Sequence, residues 1–270
     1  MSTKAEKPVG IFDSGIGGLT VANAIRELMP HEHMIYFGDT AHLPYGDKSE
    51  AAIQAYSVKI ANVLLQKGCK VIVIACHSAS SASYELLKEY VRGEAYVINV
   101  IDPMVEFILK NFNRSTIGLI GTKRTVQSDL YTKKIHERNK TITLHALATP
   151  LLAPMIEEGF FNNQISREII ARYLSDPQLG KIEALILACT HYPLIKKEID
   201  EYYQSKITVL DSSRIAAKSL HDYLAGKGLL NATTSPESHF YVSDYTESFE
   251  ASTKLFFGEN VHLENHPLWN

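Results

Sequence analysis

Ala184–Pro193 reads Ala-Leu-Ile-Leu-Ala-Cys-Thr-His-Tyr-Pro, and Val71–Ser80 reads Val-Ile-Val-Ile-Ala-Cys-His-Ser-Ala-Ser. Each stretch is a short apolar run that ends at Ala-Cys and then becomes polar. A run of this length is typical of a strand that is buried on both faces, as in a parallel sheet covered by helices. Open α/β sheets bind their ligands at the carboxyl ends of the strands. We therefore expect Cys76 and Cys189 at equivalent strand ends of two similar units.

Strands and helices alternate on both sides of these stretches, which predicts an α/β fold. One series runs from a strand at Val9–Phe12 to a strand at Val97–Ile101, and a second runs from Thr116–Ile120 to Ile207–Leu210. Each series contains one of the Ala-Cys strands. We therefore predict two lobes whose strand ends face a shared cleft.

A further match between the two series indicates an internal duplication. Val100-Ile101-Asp102 resembles Val209-Leu210-Asp211, and the two aspartates follow Cys76 and Cys189 by 26 (102 − 76) and 22 (211 − 189) positions. We predict a first lobe formed by residues 1–101 together with 212–270, and a second lobe formed by residues 102–211. In this division the C-terminal tail packs back on the first lobe.

Composition and charge exclude several classes of protein. The 270 residues are 45% apolar and 21% charged, with 27 Lys and Arg against 30 Asp and Glu, for a net charge of −3. Because there is no basic run, we predict no nucleic-acid partner. No apolar stretch approaches the ~20 residues of a membrane span, so we predict no membrane association. The N-terminus lacks the apolar segment of a signal peptide, and 3 cysteines without framework spacing favour a reducing cytoplasm.

The three cysteines differ in their neighbours. Cys76 precedes His77-Ser78 and Cys189 precedes Thr190-His191, whereas Cys69 has no hydroxyl or imidazole beside it. Free cysteine is often a buried core residue, and we keep this interpretation for Cys69. The paired placement of the other two favours a functional role. Their spacing fits no common zinc site, so we predict no metal.

The turn Asp13-Ser14-Gly15-Ile16-Gly17-Gly18 leaves a nucleotide-binding interpretation open. Thr20 occupies the last glycine position of a dinucleotide fingerprint, which counts against that interpretation, whereas Asp39 stands where a ribose-binding carboxylate would. The amides of such a turn can equally bind an amino-acid carboxylate. A non-catalytic α/β module that binds a small anion or nucleotide is therefore one hypothesis.

Two thiols that face one small ligand from opposite sides can invert a stereocentre without a cofactor. One thiolate removes a proton from carbon, and the other thiol delivers a proton to the opposite face. Hydroxyl and amide groups at the strand ends can stabilise the carbanion. His191, two residues after Cys189, can share a proton with that thiol or with a substrate ammonium.

Five groups of residues form motifs in one order along the chain. They are Phe12–Thr20, Tyr36–Thr40 with Pro44–Gly46, Ala75-Cys76, Gly121-Thr122-Lys123 with Thr125 and Ser128, and Ala188–Pro193. Together they resemble the motifs of the glutamate racemases in the aspartate/glutamate racemase superfamily. The resemblance implies cofactor-independent interconversion of L- and D-glutamate, which supplies D-glutamate for peptidoglycan. It also implies two pseudo-symmetric flavodoxin-like lobes with mostly parallel sheets, usually in a homodimer.

The resemblance implies roles for individual residues. Cys76 and Cys189 are the expected acid/base pair, with Asp13 assisting the first and His191 the second, and Glu157 matches the family's glutamate in its loop. The expected substrate-binding residues are Asp13, Ser14, Tyr45, Gly46, His77, Ser78, Thr122, Thr125, Thr190 and His191. The chain departs from the family at His77, where asparagine is usual. Racemization of another amino acid such as aspartate is therefore an alternative.

Overall fold

The computed structural model describes residues 3–233 and 237–269, so residues 1, 2, 234–236 and 270 of the predicted first lobe lie outside the described residues. The first series contains β1 (Val9–Asp13), α1 (Leu19–Leu28), β2 (Met34–Gly38), α2 (Glu50–Gln66), β3 (Val71–Ile74), α3 (His77–Tyr90), β4 (Tyr96–Asn99) and α4 (Ile101–Asn111). The second contains β5 (Thr116–Gly121), α5 (Lys123–Ser128), α6 (Leu130–Arg138), β6 (Thr143–Ala148), α7 (Leu152–Glu157), α8 (Gln164–Leu174), β7 (Ala184–Ala188), α9 (Lys196–Tyr202) and β8 (Thr208–Asp211). The C-terminal part contains α10 (Ser212–Gly226), β9 (His239–Val242), α11 (Glu247–Phe257) and β10 (Glu264–Asn265).

The strands of the described residues form two parallel sheets. One has the order β10-β9-β2-β1-β3-β4 and the other has the order β6-β5-β7-β8. In each sheet the first strand of a series lies between the second and third, so the order 2-1-3-4 occurs twice, as in flavodoxin-like folds. This repeated order confirms the predicted α/β fold with two pseudo-symmetric lobes.

The C-terminal strands extend the first sheet. β9 pairs with β2 in parallel, with Gly38 opposite Val242, and β10 pairs with β9. α1 packs against both α10 and α11. Among residues 3–233 and 237–269, no helix combines the length and the apolar character that a membrane crossing requires.

The two Ala-Cys stretches occupy equivalent places in the two sheets. β3 and β7 are buried along their whole length, and each is the neighbour of its central strand, β1 or β5. Chain connections leave a central strand and its third-strand neighbour towards opposite sides of the sheet, which opens a crevice at their carboxyl ends. Cys76 and Cys189 lie at these two crevices, directly beyond Ala75 and Ala188.

The predicted strand at Val97–Ile101 is present as β4, but it ends two residues earlier than expected, and the predicted equivalence of Asp102 and Asp211 is wrong. β4 ends at Asn99, and Asp102 lies in the first turn of α4, where its Oδ1 is 2.9 Å from Lys134 Nζ. Pro103 does not interrupt this helix, because the amides of the first turn need no intrahelical acceptor. The structural counterpart of Asp211 is Asn99, since Asn99 Oδ1 accepts from the Ile101 N–H (2.7 Å) as Asp211 Oδ1 accepts from the Ser213 N–H (2.9 Å).

Candidate active site

A cavity of about 190 Å³ lies between the two lobes at the carboxyl ends of the strands. Both lobes contribute predicted site residues to its wall, which are Ser14, Tyr45, Gly46, Cys76, His77 and Ser78 from the first and Thr122, Glu157, Cys189, Thr190 and His191 from the second. Two larger surface grooves, of about 600 and 780 Å³, contain neither of these cysteines. The chemistry predicted from the paired cysteines therefore has a single shared cavity in which to act.

Cys76 is the N-cap of α3, where the chain turns sharply from strand to helix. Its Sγ accepts from the Ala79 N–H at 3.5 Å and donates to Ser14 Oγ at 3.8 Å. The side chain is buried, and this burial, together with the nearby carboxylate of Asp13, raises the pKa of Cys76 to about 12. Cys76 therefore rests as a thiol, which is the form that can donate a proton.

Asp13 lies behind Cys76 and is fully buried. Its Oδ2 accepts from the N–H groups of Gly18 (2.9 Å) and Gly15 (3.3 Å), whereas its Oδ1 has no hydrogen-bond partner among the described residues. Burial raises the pKa of Asp13. Because Asp13 does not line the cavity, it is placed to act on Cys76 rather than to contact a bound ligand directly.

Gly18 is required by this arrangement. A Cβ atom on Gly18 would lie 2.5 Å from Asp13 Cβ, closer than two carbon atoms can pack. The glycine turn thus serves the burial of Asp13, and the amides of Gly15 and Gly18 are directed at its carboxylate.

Cys189, His191 and Glu157 form a continuous chain of contacts on the other side of the cavity. Cys189 Sγ lies 3.6 Å from His191 Nδ1, and His191 Nε2 lies 2.8 Å from Glu157 Oε1. Burial alone would lower the pKa of His191, but its hydrogen bonds to Cys189 and Glu157 and their charges raise it to about 10. His191 is therefore a protonated imidazole at neutral pH, held beside a cysteine sulfur.

The first lobe fixes the position of His191. A Cβ atom on Gly17 would lie 2.3 Å from His191 Cε1, so only glycine allows this close approach. The Thr20 hydroxyl donates to the Thr190 carbonyl at 2.9 Å and joins the same two segments. The tight turn after β1 and the Cys189 segment after β7 are thus packed directly against each other across the lobes.

Three hydroxyls form a row from the first lobe into the second. Ser78 Oγ is 2.9 Å from Thr122 Oγ1, which is 3.1 Å from Thr125 Oγ1. Thr122 lines the cavity, whereas Thr125 is buried behind it. Ser78 and Thr122 thus line the cavity, whereas Thr125 is connected to its wall through Thr122.

His77 is a buried polar side chain without a partner. Its ring is only 2% exposed, and neither ring nitrogen has a hydrogen-bond partner among the described residues. Burial lowers its pKa to about 3, so the imidazole is neutral at physiological pH. The closest aromatic neighbour is Tyr131, whose ring stacks at a centroid distance of 6.4 Å. His77 therefore lines the cavity while both of its ring nitrogens are buried.

Sequence reasoning missed the apolar part of the cavity wall. The additional wall residues are Gly15, Leu43, Pro44, Ala153, Pro154 and Ala188. Leu43 and Pro44 directly precede the predicted Tyr45, and Ala153 and Pro154 fall within one turn before Glu157. Their proximity to predicted polar residues was the available signal, because the identity of a small or apolar residue does not by itself indicate a role in a binding site.

Comparisons with known proteins show which family this chain is similar to. The family model Asp/Glu/Hydantoin racemase matches residues 19–220. A glutamate racemase of Chlorobaculum tepidum is 38% identical over 260 residues, which cover 95% of this chain and 94% of that protein. A glutamate racemase of Francisella tularensis, solved in complex with D-glutamate, has a TM-score of 0.90 at 38% identity and 98% coverage of both chains. A glutamate racemase isoform of Bacillus anthracis has a TM-score of 0.91 at 31% identity, covering 97% of this chain and 99% of that one.

Proposed function

Because the chain belongs to the glutamate racemases of the Asp/Glu/hydantoin racemase family, we propose that it interconverts L- and D-glutamate by proton transfer between two cysteines. The observation that carries the proposal is the placement of Cys76 and Cys189 on one small cavity, each at the equivalent strand end of its lobe. The Francisella tularensis relative binds D-glutamate, which supports glutamate as the substrate here.

The reaction needs a base on one face of the α-carbon and an acid on the other. In one direction the sulfur of one cysteine, as thiolate, removes the α-proton, and the thiol of the other cysteine protonates the opposite face. The reverse direction exchanges these roles. At ~10 s⁻¹, a typical turnover, the barrier is about 16 kcal/mol, so the site must stabilise the carbanion considerably. Hydroxyls and amides around the cavity supply that stabilisation.

Different residues determine the protonation of the cysteine on each side of the cavity. His191 is protonated and bound to Glu157, and its Nδ1, which carries a proton, lies 3.6 Å from Cys189 Sγ. Cys76 keeps its own proton in the resting state, with Asp13 behind it. We assign Cys76 and Cys189 as catalytic residues, and Asp13, His191 and Glu157 as the groups that set their protonation.

The remaining polar wall residues hold the substrate. Glutamate presents one ammonium and two carboxylates, which hydroxyls, amides and a neutral imidazole can all bind. The assigned residues are Ser14, Tyr45, Gly46, His77, Ser78, Thr122, Thr190 and His191, with Thr125 supporting Thr122. Asp13 contributes to substrate binding only indirectly, because it accepts from the Gly15 N–H and so fixes the turn that contains Ser14 and Gly15.

Racemization of another amino acid such as aspartate is the second candidate, and His77 favours it. The imidazole is larger than the asparagine that is usual in the family, and His77 lines the cavity. A shorter substrate would suit the smaller space that the larger ring leaves. A panel of L-amino acids, assayed with the native chain and with His77→Asn, separates the two candidates.

A nucleotide-binding module is the weaker hypothesis. The Gly15 and Gly18 amides, which would bind a phosphate, already bind Asp13. Asp39, which would bind a ribose, is fully buried and accepts from the Tyr45 hydroxyl at 2.6 Å. Both groups that motivated the hypothesis therefore have structural partners.

We extend the proposal to the cellular setting. The enzyme acts as a homodimer in the cytoplasm and supplies D-glutamate for peptidoglycan, without nucleic-acid or membrane partners. Its lobes comprise residues 1–101 with 212–270 and residues 102–211, a division supported by the pairing of β9 with β2. Light scattering during size-exclusion chromatography measures the mass of the assembly. A mass of 30.2 kDa, which is that of one chain, would contradict the dimer.

Three alanine variants test the proposed function. Cys76→Ala and Cys189→Ala should each abolish formation of D-glutamate from L-glutamate, followed by circular dichroism or chiral chromatography. Cys69→Ala is the matched control, because Cys69 is equally buried but lies in the core beneath the first sheet. An active Cys76→Ala or Cys189→Ala variant, or an inactive native chain, would contradict the proposal.

A further inference from the structure

The buried carboxylate of Asp39 binds several donors from distant parts of the chain. Tyr45 donates to its Oδ2 at 2.6 Å, and the Ser243 hydroxyl and Trp269 Nε1 donate to its Oδ1 at 2.7 and 2.6 Å. His42 Nδ1 lies 3.1 Å from Oδ2. Asp39 itself is fully buried, so these contacts replace water completely.

Trp269 reaches Asp39 from the C-terminal end of the chain. Its ring packs edge-on against His42 and Tyr56, with centroid distances of 4.4 and 5.1 Å. Lys59 anchors the same segment, because its Nζ lies 4.6 Å from the indole centroid and donates to the Leu268 carbonyl at 3.0 Å. The last described residues of the chain thus cover the loop that follows β2.

That loop forms one wall of the candidate active site. Leu43, Pro44, Tyr45 and Gly46 all line the cavity, and Tyr45 is fully buried. The Tyr45 hydroxyl and the Trp269 indole N–H bind the two different oxygens of one carboxylate. A displacement of Trp269 would therefore remove one donor from Oδ1 of a buried carboxylate, which Ser243 also binds, and would loosen the orientation of Tyr45.

We propose that Trp269 is a positioning residue for substrate binding, which acts through Asp39 to hold the Leu43–Gly46 wall in place. The proposal rests on the proposed function and goes beyond it, because Trp269 touches neither cysteine and does not line the cavity. The thiols lie on other elements, at the start of α3 and after β7. Loss of the indole contact should thus weaken binding of the substrate and leave the proton transfers largely intact.

Trp269→Phe is the direct test, because phenylalanine keeps an aromatic ring but cannot donate to Asp39. A hydrogen bond to a charged group is worth about tenfold or more in an equilibrium constant. We expect KM for glutamate to rise about tenfold, with kcat within about threefold of the native value. Amide hydrogen exchange in residues 40–47 should become about tenfold faster.

Two further variants make the result specific. Lys59→Met removes the second anchor of the C-terminal segment and keeps the indole N–H on Asp39, so we expect native KM, kcat and loop exchange. Ser243→Ala removes another donor from the same oxygen without altering the C-terminal segment, so we expect a higher KM with little change in kcat.

The outcomes distinguish this inference from the proposed function. Native KM and native loop exchange in Trp269→Phe, or an equal effect of Lys59→Met, would overturn the positioning role. An inactive native chain would overturn the racemase proposal, and in that case the exchange of residues 40–47 still decides whether Trp269 holds the loop.

Discussion

His191 Nδ1 lies 3.6 Å from Cys189 Sγ, and the opposite ring nitrogen is bound to Glu157 at 2.8 Å. The second lobe therefore places a protonated imidazole, which is itself bound to a carboxylate, beside its cysteine. The first lobe has a different arrangement, in which Cys76 is a resting thiol in front of a buried carboxyl group. The two sulfurs occupy equivalent positions in the fold but have chemically different partners, which suits a reaction that needs one acid and one base at any moment.

Removal of the Glu157 charge should change the pH dependence of stability. The pKa of His191 is raised from 6.5 to about 10 in the folded state, so its stabilising contribution is fully present below pH 6.5 and is lost as the pH rises through 10. Glu157→Gln should reduce the alkaline decline in unfolding free energy between these values. Urea titrations at several pH values measure it, and the exposed neighbour Glu158→Gln is the control. An unchanged decline in Glu157→Gln would contradict the assigned pair.

Gly17→Ala should displace His191. The added Cβ would lie 2.3 Å from the imidazole, so the ring or the turn must shift at a cost of about 1–3 kcal/mol. We expect a fall in kcat of at least tenfold, measured together with the free energy of unfolding. Gly226→Ala is the matched control, because no atom lies within 4 Å of its added Cβ and alanine favours the helix by up to about 1 kcal/mol. Native activity in Gly17→Ala would contradict the contact.

His77→Asn should change the acid stability and the choice of substrate. The folded-state pKa of His77 is lowered from 6.5 to about 3, so the unfolded chain binds the additional proton between these values and stability falls as the pH drops below 6.5. Asparagine does not titrate, so His77→Asn should remove this part of the fall in unfolding free energy at acid pH. Because His77 is neutral above this range, the substitution should alter KM across an amino-acid panel without moving the pH profile of kcat. Urea titrations at several acid pH values measure this fall. A fall in unfolding free energy identical to that of the native chain would contradict the buried, neutral imidazole.

The sequence predicted those features that arise from local pattern. The apolar runs before Cys76 and Cys189 predicted buried parallel strands, and the repeated order of elements predicted two lobes. The equivalence of Asp102 and Asp211 failed because a short apolar match cannot show where a strand ends. Pro103 fits the first turn of α4, and Asn99 performs the capping role instead.

Contacts between distant segments could not be predicted in this way. Glu157 and His191 are separated by 34 positions, and the family resemblance implied a role for each residue but not the contact between them. Trp269 and Asp39 are 230 positions apart, and no pattern in either segment marks the contact. Packing between segments that are distant along the chain decides such pairs, so they can be identified only in the folded structure.

The most direct test of the two-base mechanism follows deuterium during the first few per cent of reaction. The native chain is incubated with L-glutamate in deuterated water, and both enantiomers are recovered and examined by mass spectrometry. The D-glutamate formed should carry deuterium at the α-carbon, whereas the remaining L-glutamate should be almost free of it, since each cysteine exchanges its proton only on its own face. Early product that retains the original hydrogen, or rapid labelling of the remaining L-glutamate, would indicate a single base and contradict the mechanism.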